Sequence, residues 1–205
     1  MTHGGGEGGE QEGRVRAYGA WPQALLAALV VATSPTRVDA QLSVVGGGGA
    51  ILPVGDFGSV ATLGYSGSVG IQLPLGARGL SVALEGTAGR VRHARDVAHS
   101  RIYGGGLTAR QTLQEERGAR VGFSGTLQWL RHQGVSRSFP ELAASRSGLA
   151  AGAGVELGAP VGRGVALVAV SYTRGLFGLD SDAFPTEYVS VQVGARIALG
   201  SGRAR

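Results

Sequence analysis

From Val121 to Trp129 the chain alternates, with Val121, Phe123, Leu127 and Trp129 on one face and Gly122, Ser124, Thr126 and Gln128 on the other. A period of two belongs to an extended strand, whose successive side chains point to opposite faces. The rhythm returns from Tyr188 to Leu199, where Val189, Val191, Val193, Ala195, Ile197 and Leu199 alternate with Ser190, Gln192, Gly194 and Arg196. Segments of this kind predict eight strands, at 42–52, 60–73, 79–91, 99–113, 119–131, 146–157, 165–177 and 187–199. Each reaches the ~9–11 residues that a tilted strand needs to cross a bilayer. In the seventh, Leu167 and Val168 compete for the apolar face, so Arg174 is assigned to neither.

The connections alternate in length. The second, fourth and sixth (74–78, 114–118, 158–164) are tight, and the third, fifth and seventh (92–98, 132–145, 178–186) are longer and more polar, while the first (53–59) is short. Tight turns at one end and long loops at the other are the barrel pattern, with both termini on the turn side, in the periplasm. A water-facing exterior normally carries many charges. Here the polar face is mostly Gly, Ser, Thr and Gln, small enough for a narrow lumen, and the other face suits lipid. The expectation is all-β: an eight-stranded antiparallel up-and-down transmembrane β-barrel. The rival that shares the alternation is a soluble exported barrel that binds a ligand.

Residues 1–40 read as processing sequence and 41–205 as the barrel domain. Arg14 and Arg16 precede an apolar stretch at 21–33, and Val38 and Ala40 stand at −3 and −1 of a cleavage site. Thirteen residues fall short of the roughly 20 that a membrane helix requires, so a cleaved signal peptide is expected and, with the barrel pattern, a bacterial outer membrane. The opening residues, Gly-rich with Glu7, Glu10 and Glu12, are unusual for such a peptide.

Glycine accounts for 38 of 205 residues, against a usual ~7 %, without the three-residue period of collagen. The runs 46–49 and 104–106 fall inside predicted strands, where Gly marks a bend or close packing. Gly104-x-Gly106-x-x-Ala109 matches a dinucleotide fingerprint formally, but no helix follows it. No Cys is present, which excludes disulfides, thiolate metal sites and a lipidated cysteine. All 19 basic residues are Arg. Beyond residue 40, 16 Arg stand against 10 acids, a formal charge of +6 that favours anionic lipopolysaccharide. Nucleic acid is not an expected partner, since no basic stripe is interleaved with stacking aromatics.

The closing Gln192-x-Gly194-x-x-Ile197-x-Leu199 resembles the last-strand signal by which outer-membrane proteins engage the barrel-assembly machinery. With the eight strands and the loop asymmetry, the chain beyond residue 40 resembles the small OmpA-like or OmpX-like barrels. That family ends on an aromatic where this chain has Leu199, followed by residues 201–205. The resemblance implies a monomer among outer-membrane lipid and lipopolysaccharide, with no cofactor.

If the apolar face is outward, Glu85, Arg110, Arg120, Glu156 and Arg196 point inward, where isolated charges must pair. They form either a network that plugs the lumen or the lining of a narrow channel for small solutes. A third class is an enzyme acting on lipid A, a known activity of barrels this size. His93, His99 and His132 fall near outer strand ends, with Asp96, Ser136, Ser138, Asp180 and Asp182 in comparable places, yet no spacing fixes a triad or a metal-ligand set. No catalytic, cofactor or metal residue is therefore assigned. Tyr65, Tyr103, Trp129, Tyr172 and Tyr188 are candidates for interfacial belts. The leading expectation is a structural or surface-interaction barrel acting through its loops, with Arg92, Arg95, Arg131 and Arg137 near lipopolysaccharide phosphates.

Overall fold

The computed structural model describes residues 41–75, 79–93, 98–114, 118–136, 145–176 and 185–199; the expected signal peptide at 1–40 lies outside them. The strands are β1 (Ser43–Pro53), β2 (Ala61–Pro74), β3 (Leu80–His93), β4 (Ala98–Gln114), β5 (Arg120–Ser136), β6 (Ser145–Val161), β7 (Gly164–Gly175) and β8 (Glu187–Ala198), and a short helix α1 (Gly55–Val60) joins β1 to β2. Every strand pairs antiparallel with its sequence neighbours, and β1 pairs with β8 to close the barrel.

The pairing fixes the dimensions. An inward-facing row can be followed from Ser43 through Gln72, Ala83, Thr108, Thr126, Gly152, Thr173 and Tyr188, returning to β1 at Pro53, a shift of 53 − 43 = 10 residues. With a rise of about 3.4 Å per residue and strands about 4.8 Å apart, eight strands sheared by ten tilt at about 40° on a radius of about 8 Å. That interior holds side chains and little else. Bulk must therefore go outward, and it does: Val69, Leu84, Trp129 and Val193 are each more than half exposed.

Tyr65, Tyr103, Trp129 and Tyr172 also face outward, but Tyr188 is buried in the lumen. Its parity decides this, because Val189 beside it takes the outer face. In β7, Val168 is outside and Leu167 inside, packed with Val45 and Val165. Arg174 consequently faces outward. The tight sixth connection is shorter than its sequence suggested, since β6 continues to Val161 and the hairpin turns on Gly162 and Arg163, with Gly162 at φ +56°. The first connection holds a helix too short for a helical period to show in sequence.

The run 46–49 in β1 lies between β2 and β8. A β-carbon on inward-facing Gly49 would collide with the Val191 carbonyl oxygen and stand 2.7 Å from Gln192 Cα, whereas one on outward-facing Gly48 meets nothing closer than 3.4 Å. Gly49→Val is expected to cost about 3 kcal/mol or more in urea unfolding of detergent-folded protein, and Gly48→Val well under that. Equal effects of the two would refute the close approach of β8.

Candidate functional site

Parity brings Glu85 (β3), Arg110 (β4), Arg120 (β5), Glu156 (β6) and Arg196 (β8) into the lumen. Arg110 donates from Nη2 to Glu85 Oε1 at 2.5 Å and from Nε to Glu156 Oε1 at 2.6 Å. Arg196 Nη2 reaches the other oxygen, Glu156 Oε2, at 3.1 Å. Thr108 Oγ1 donates to Glu85 Oε2 at 2.7 Å and lies 3.1 Å from Thr126 Oγ1. Two guanidiniums and two carboxylates thus balance within one buried chain of contacts. Arg120 lies toward the turn end beside Thr112, Glu156 and Arg196, and no ion pair joins it to them.

On the loop side of this network is a cavity of about 110 Å³ bordered by Ser66, Ser68, Thr108, Thr126, Gln128 and Ser190. Its polar walls suit water, which needs several hydrogen-bonding partners to be held. Above it the lumen turns apolar: Ile51, Val91, Ile102, Leu130 and Tyr188 pack with Phe57, which α1 carries over the loop-side mouth. Phe57 is 1 % exposed, and its ring meets His132 edge-on, with centroids 5.0 Å apart. The Val54 N–H donates to the Glu187 carbonyl at 3.1 Å, tying the entry of α1 to β8. A solute crossing the barrel would have to displace both the apolar layer and the charge network.

Beneath Phe57, sequence reasoning missed a cluster. Ser100 Oγ lies 2.8 Å from His93 Nε2 and 2.6 Å from His132 Nε2, and His132 Nδ1 lies 2.8 Å from Thr186 Oγ1. Ser100 carries no motif, and only the registers of β3, β4 and β5 reveal that it sits between two histidines. Ser100 is fully buried, and among the described residues no carboxylate hydrogen-bonds either ring. The cluster braces β3, β4, β5 and the start of β8. His99 is buried on the opposite face of β4, and Ser136 ends β5. Asp96, Ser138, Asp180 and Asp182 lie outside the described residues, as do Arg95 and Arg137. No group of three His, Cys, Asp or Glu suited to a metal occurs among the described residues.

In β8, Gln192 pairs with Gly49, which pairs with Ser66. Because Gly49 has no side chain, Gln192 reaches across β1, its Nε2 donating to Ser66 Oγ and its Oε1 accepting from Ser68 Oγ, both at 3.2 Å. Gly194 lies against the backbone of Gly46 and Gly47, while Ile197 and Leu199 are exposed on the outside. Outward-facing Arg174 pairs with Glu187 at 3.1 Å; outward-facing Arg92 and Arg131 are exposed near the loops.

No protein-family model and no curated protein matches the sequence. Solved structures do. Neisserial surface protein A is 12 % identical, covering 77 % of this chain and 97 % of its own at a TM-score of 0.61. The N-terminal β-barrel domain of Pseudomonas aeruginosa OprF is 15 % identical, covering 78 % of this chain and 100 % of its own at a TM-score of 0.51. The chain therefore has the fold of the small eight-stranded outer-membrane β-barrels, as its sequence suggested.

Glu156 serves two arginines and is the member whose loss should cost most. Glu156→Gln is expected to destabilise the folded barrel by about 3–5 kcal/mol, because two buried guanidiniums lose their carboxylate. Glu187→Gln, whose partner Arg174 is half exposed, should cost at most about 1 kcal/mol. Urea titration of the detergent-folded variants measures both, and comparable losses would count against a self-balanced lumen.

Proposed function

We propose that this protein is a monomeric outer-membrane barrel whose lumen is closed and whose role, structural or in surface interaction, is exercised at its loop side. The observation that carries the reading is the inversion of polarity. Leu63, Val69, Leu84, Val161 and Val193 are each more than 60 % exposed, whereas Arg110 and Glu156 are less than 10 % exposed. A soluble protein does not leave a contiguous apolar belt in water while burying its ion pairs. In a bilayer the same arrangement is the stable one, since every strand finds its hydrogen bonds within the closed sheet and lipid covers the hydrocarbon.

What supports a closed lumen is the pair of obstructions in series, the apolar layer under Phe57 and the Glu85–Arg110–Glu156–Arg196 chain. What supports a loop-side role is the mounting of the longer connections on a rigid scaffold, the usual place for binding.

Expressed in a Gram-negative host, the chain is expected in the outer-membrane fraction, with a band whose gel mobility shifts on boiling in detergent. Recovery as soluble protein without a shift would overturn the membrane reading. Replacing residues 137–144 by a two-residue turn should leave the shift intact, since the ladder of β5 and β6 holds without them. Planar bilayers containing the purified protein should be silent, and a steady conductance would refute the closed lumen.

A further inference from the structure

The outer wall at the loop end of β3, β4 and β5 carries four arginines in one group. Arg90 of β3 lies directly opposite Arg101 of β4. Arg92 is opposite His99, and Arg131 of β5 is opposite Tyr103, so both are diagonal neighbours of Arg101. All four have outward parity, and Arg92, Arg101 and Arg131 are exposed. Like charges directly opposed across a pair of strands are destabilising unless something neutralises them.

Nothing among the described residues does so. These three strands contain a single carboxylate, Glu85, and it points into the lumen toward Arg110. The Nε of Arg131 donates to Ser145 Oγ at 3.2 Å, a neutral acceptor. Arg174, outward at the loop end of β7, shows the contrast, for it has Glu187 beside it.

Depth supplies the second half of the argument. Arg131 is two residues beyond Trp129, and Tyr65 lies opposite Arg90. Tyr and Trp settle where hydrocarbon meets headgroups. Two residues along a strand tilted at about 40° rise about 5 Å on the barrel axis, which carries the guanidiniums into the headgroup layer. Below them the same wall presents exposed Leu84, Leu107 and Leu127.

We propose that this wall is a binding site for a phosphorylated glycolipid of the outer leaflet, its phosphates held by Arg90, Arg92, Arg101 and Arg131 and its acyl chains lying along Leu84, Leu107 and Leu127. The guanidinium fork matches phosphate oxygens bidentately, and four cations suit two phosphates. The inference rests on the membrane reading above, and it asks for one kind of lipid at one place on the wall.

The test uses detergent-folded full-length protein in phosphatidylcholine nanodiscs with bisphosphorylated lipid A or its dephosphorylated form as the probe, and native mass spectrometry to count retained lipid. Wild type is expected to retain the bisphosphorylated form roughly tenfold better than the triple variant Arg90→Gln, Arg101→Gln, Arg131→Gln, and better than the dephosphorylated lipid by a similar factor. Arg163→Gln, at the turn end, should bind as wild type does. Equal retention of the two lipids by wild type, or of the bisphosphorylated lipid by wild type and the triple variant, overturns the site. So does full displacement by equimolar inorganic pyrophosphate, which would make the occupant a soluble anion. The dephosphorylated-lipid comparison needs no variant to fold. A boiling-dependent band shift checked on each sample separates failure of this site from failure of the barrel.

Discussion

The backbone N–H and C=O groups of each strand find their partners on the two strands beside it, so the structure depends on the ladder that joins β1 to β8 and leaves no edge open. Once that ladder forms with a shear of ten, the radius is set, and the radius sorts the side chains. Bulky apolar groups find little room inside and stand on the outer face. Polar groups inside have no bulk water, so they must satisfy one another, as Glu156 does by dividing its two oxygens between Arg110 and Arg196. The closing strand meets the same limit, since β8 can lie against β1 only because Gly47 and Gly49 present no side chains there.

Much of this was legible in the sequence, because a two-sided sheet writes its parity into every second residue. Eight strands and the inward direction of Glu85, Arg110, Arg120, Glu156 and Arg196 follow from that period. The expected alternation of connection lengths, by contrast, breaks at the third, because β3 runs on to His93 and β4 starts at Ala98, leaving 94–97 between them against 75–79 between β2 and β3. Parity fell short where both positions are apolar, as at Leu167 and Val168. A residue type can also mislead, as with Tyr188, whose ring suggests an interfacial belt although its place in the alternation puts it inside. What no single strand could disclose is register. The convergence of His93 and His132 on Ser100, and the opposition of Arg90 and Arg101, exist only once β3, β4 and β5 are aligned. The helix carrying Phe57 escaped for a different reason, since six residues are less than two turns.

The two ends of the barrel are chemically unlike. At the turn end the interior closes with Val45, Val165 and Leu167 beneath the ion pairs. At the loop end it closes with an apolar layer that a connecting segment, rather than a strand, completes. The outside differs in the same sense: hydrocarbon gives way to arginine at the loop end of β3 to β5, and on β7 to an arginine that already has its acid. The four-membered network contributes no net charge to the lumen, where Arg120 adds one cation toward the turn end.

The ladder between Ser43 and Ala198 joins residues 198 − 43 = 155 positions apart, whereas every other ladder joins strands adjacent in the chain. Contacts so distant in sequence are the slow ones to make. Until β8 arrives, β1 and β7 are open edges able to template a neighbouring chain, and an eight-stranded sheet has no intermediate closure that would protect them. The kinetic hazard of this molecule is thus concentrated in its final strand: the competition that decides between closed barrel and aggregate is between β8 and a strand of another copy for the glycine edge of β1.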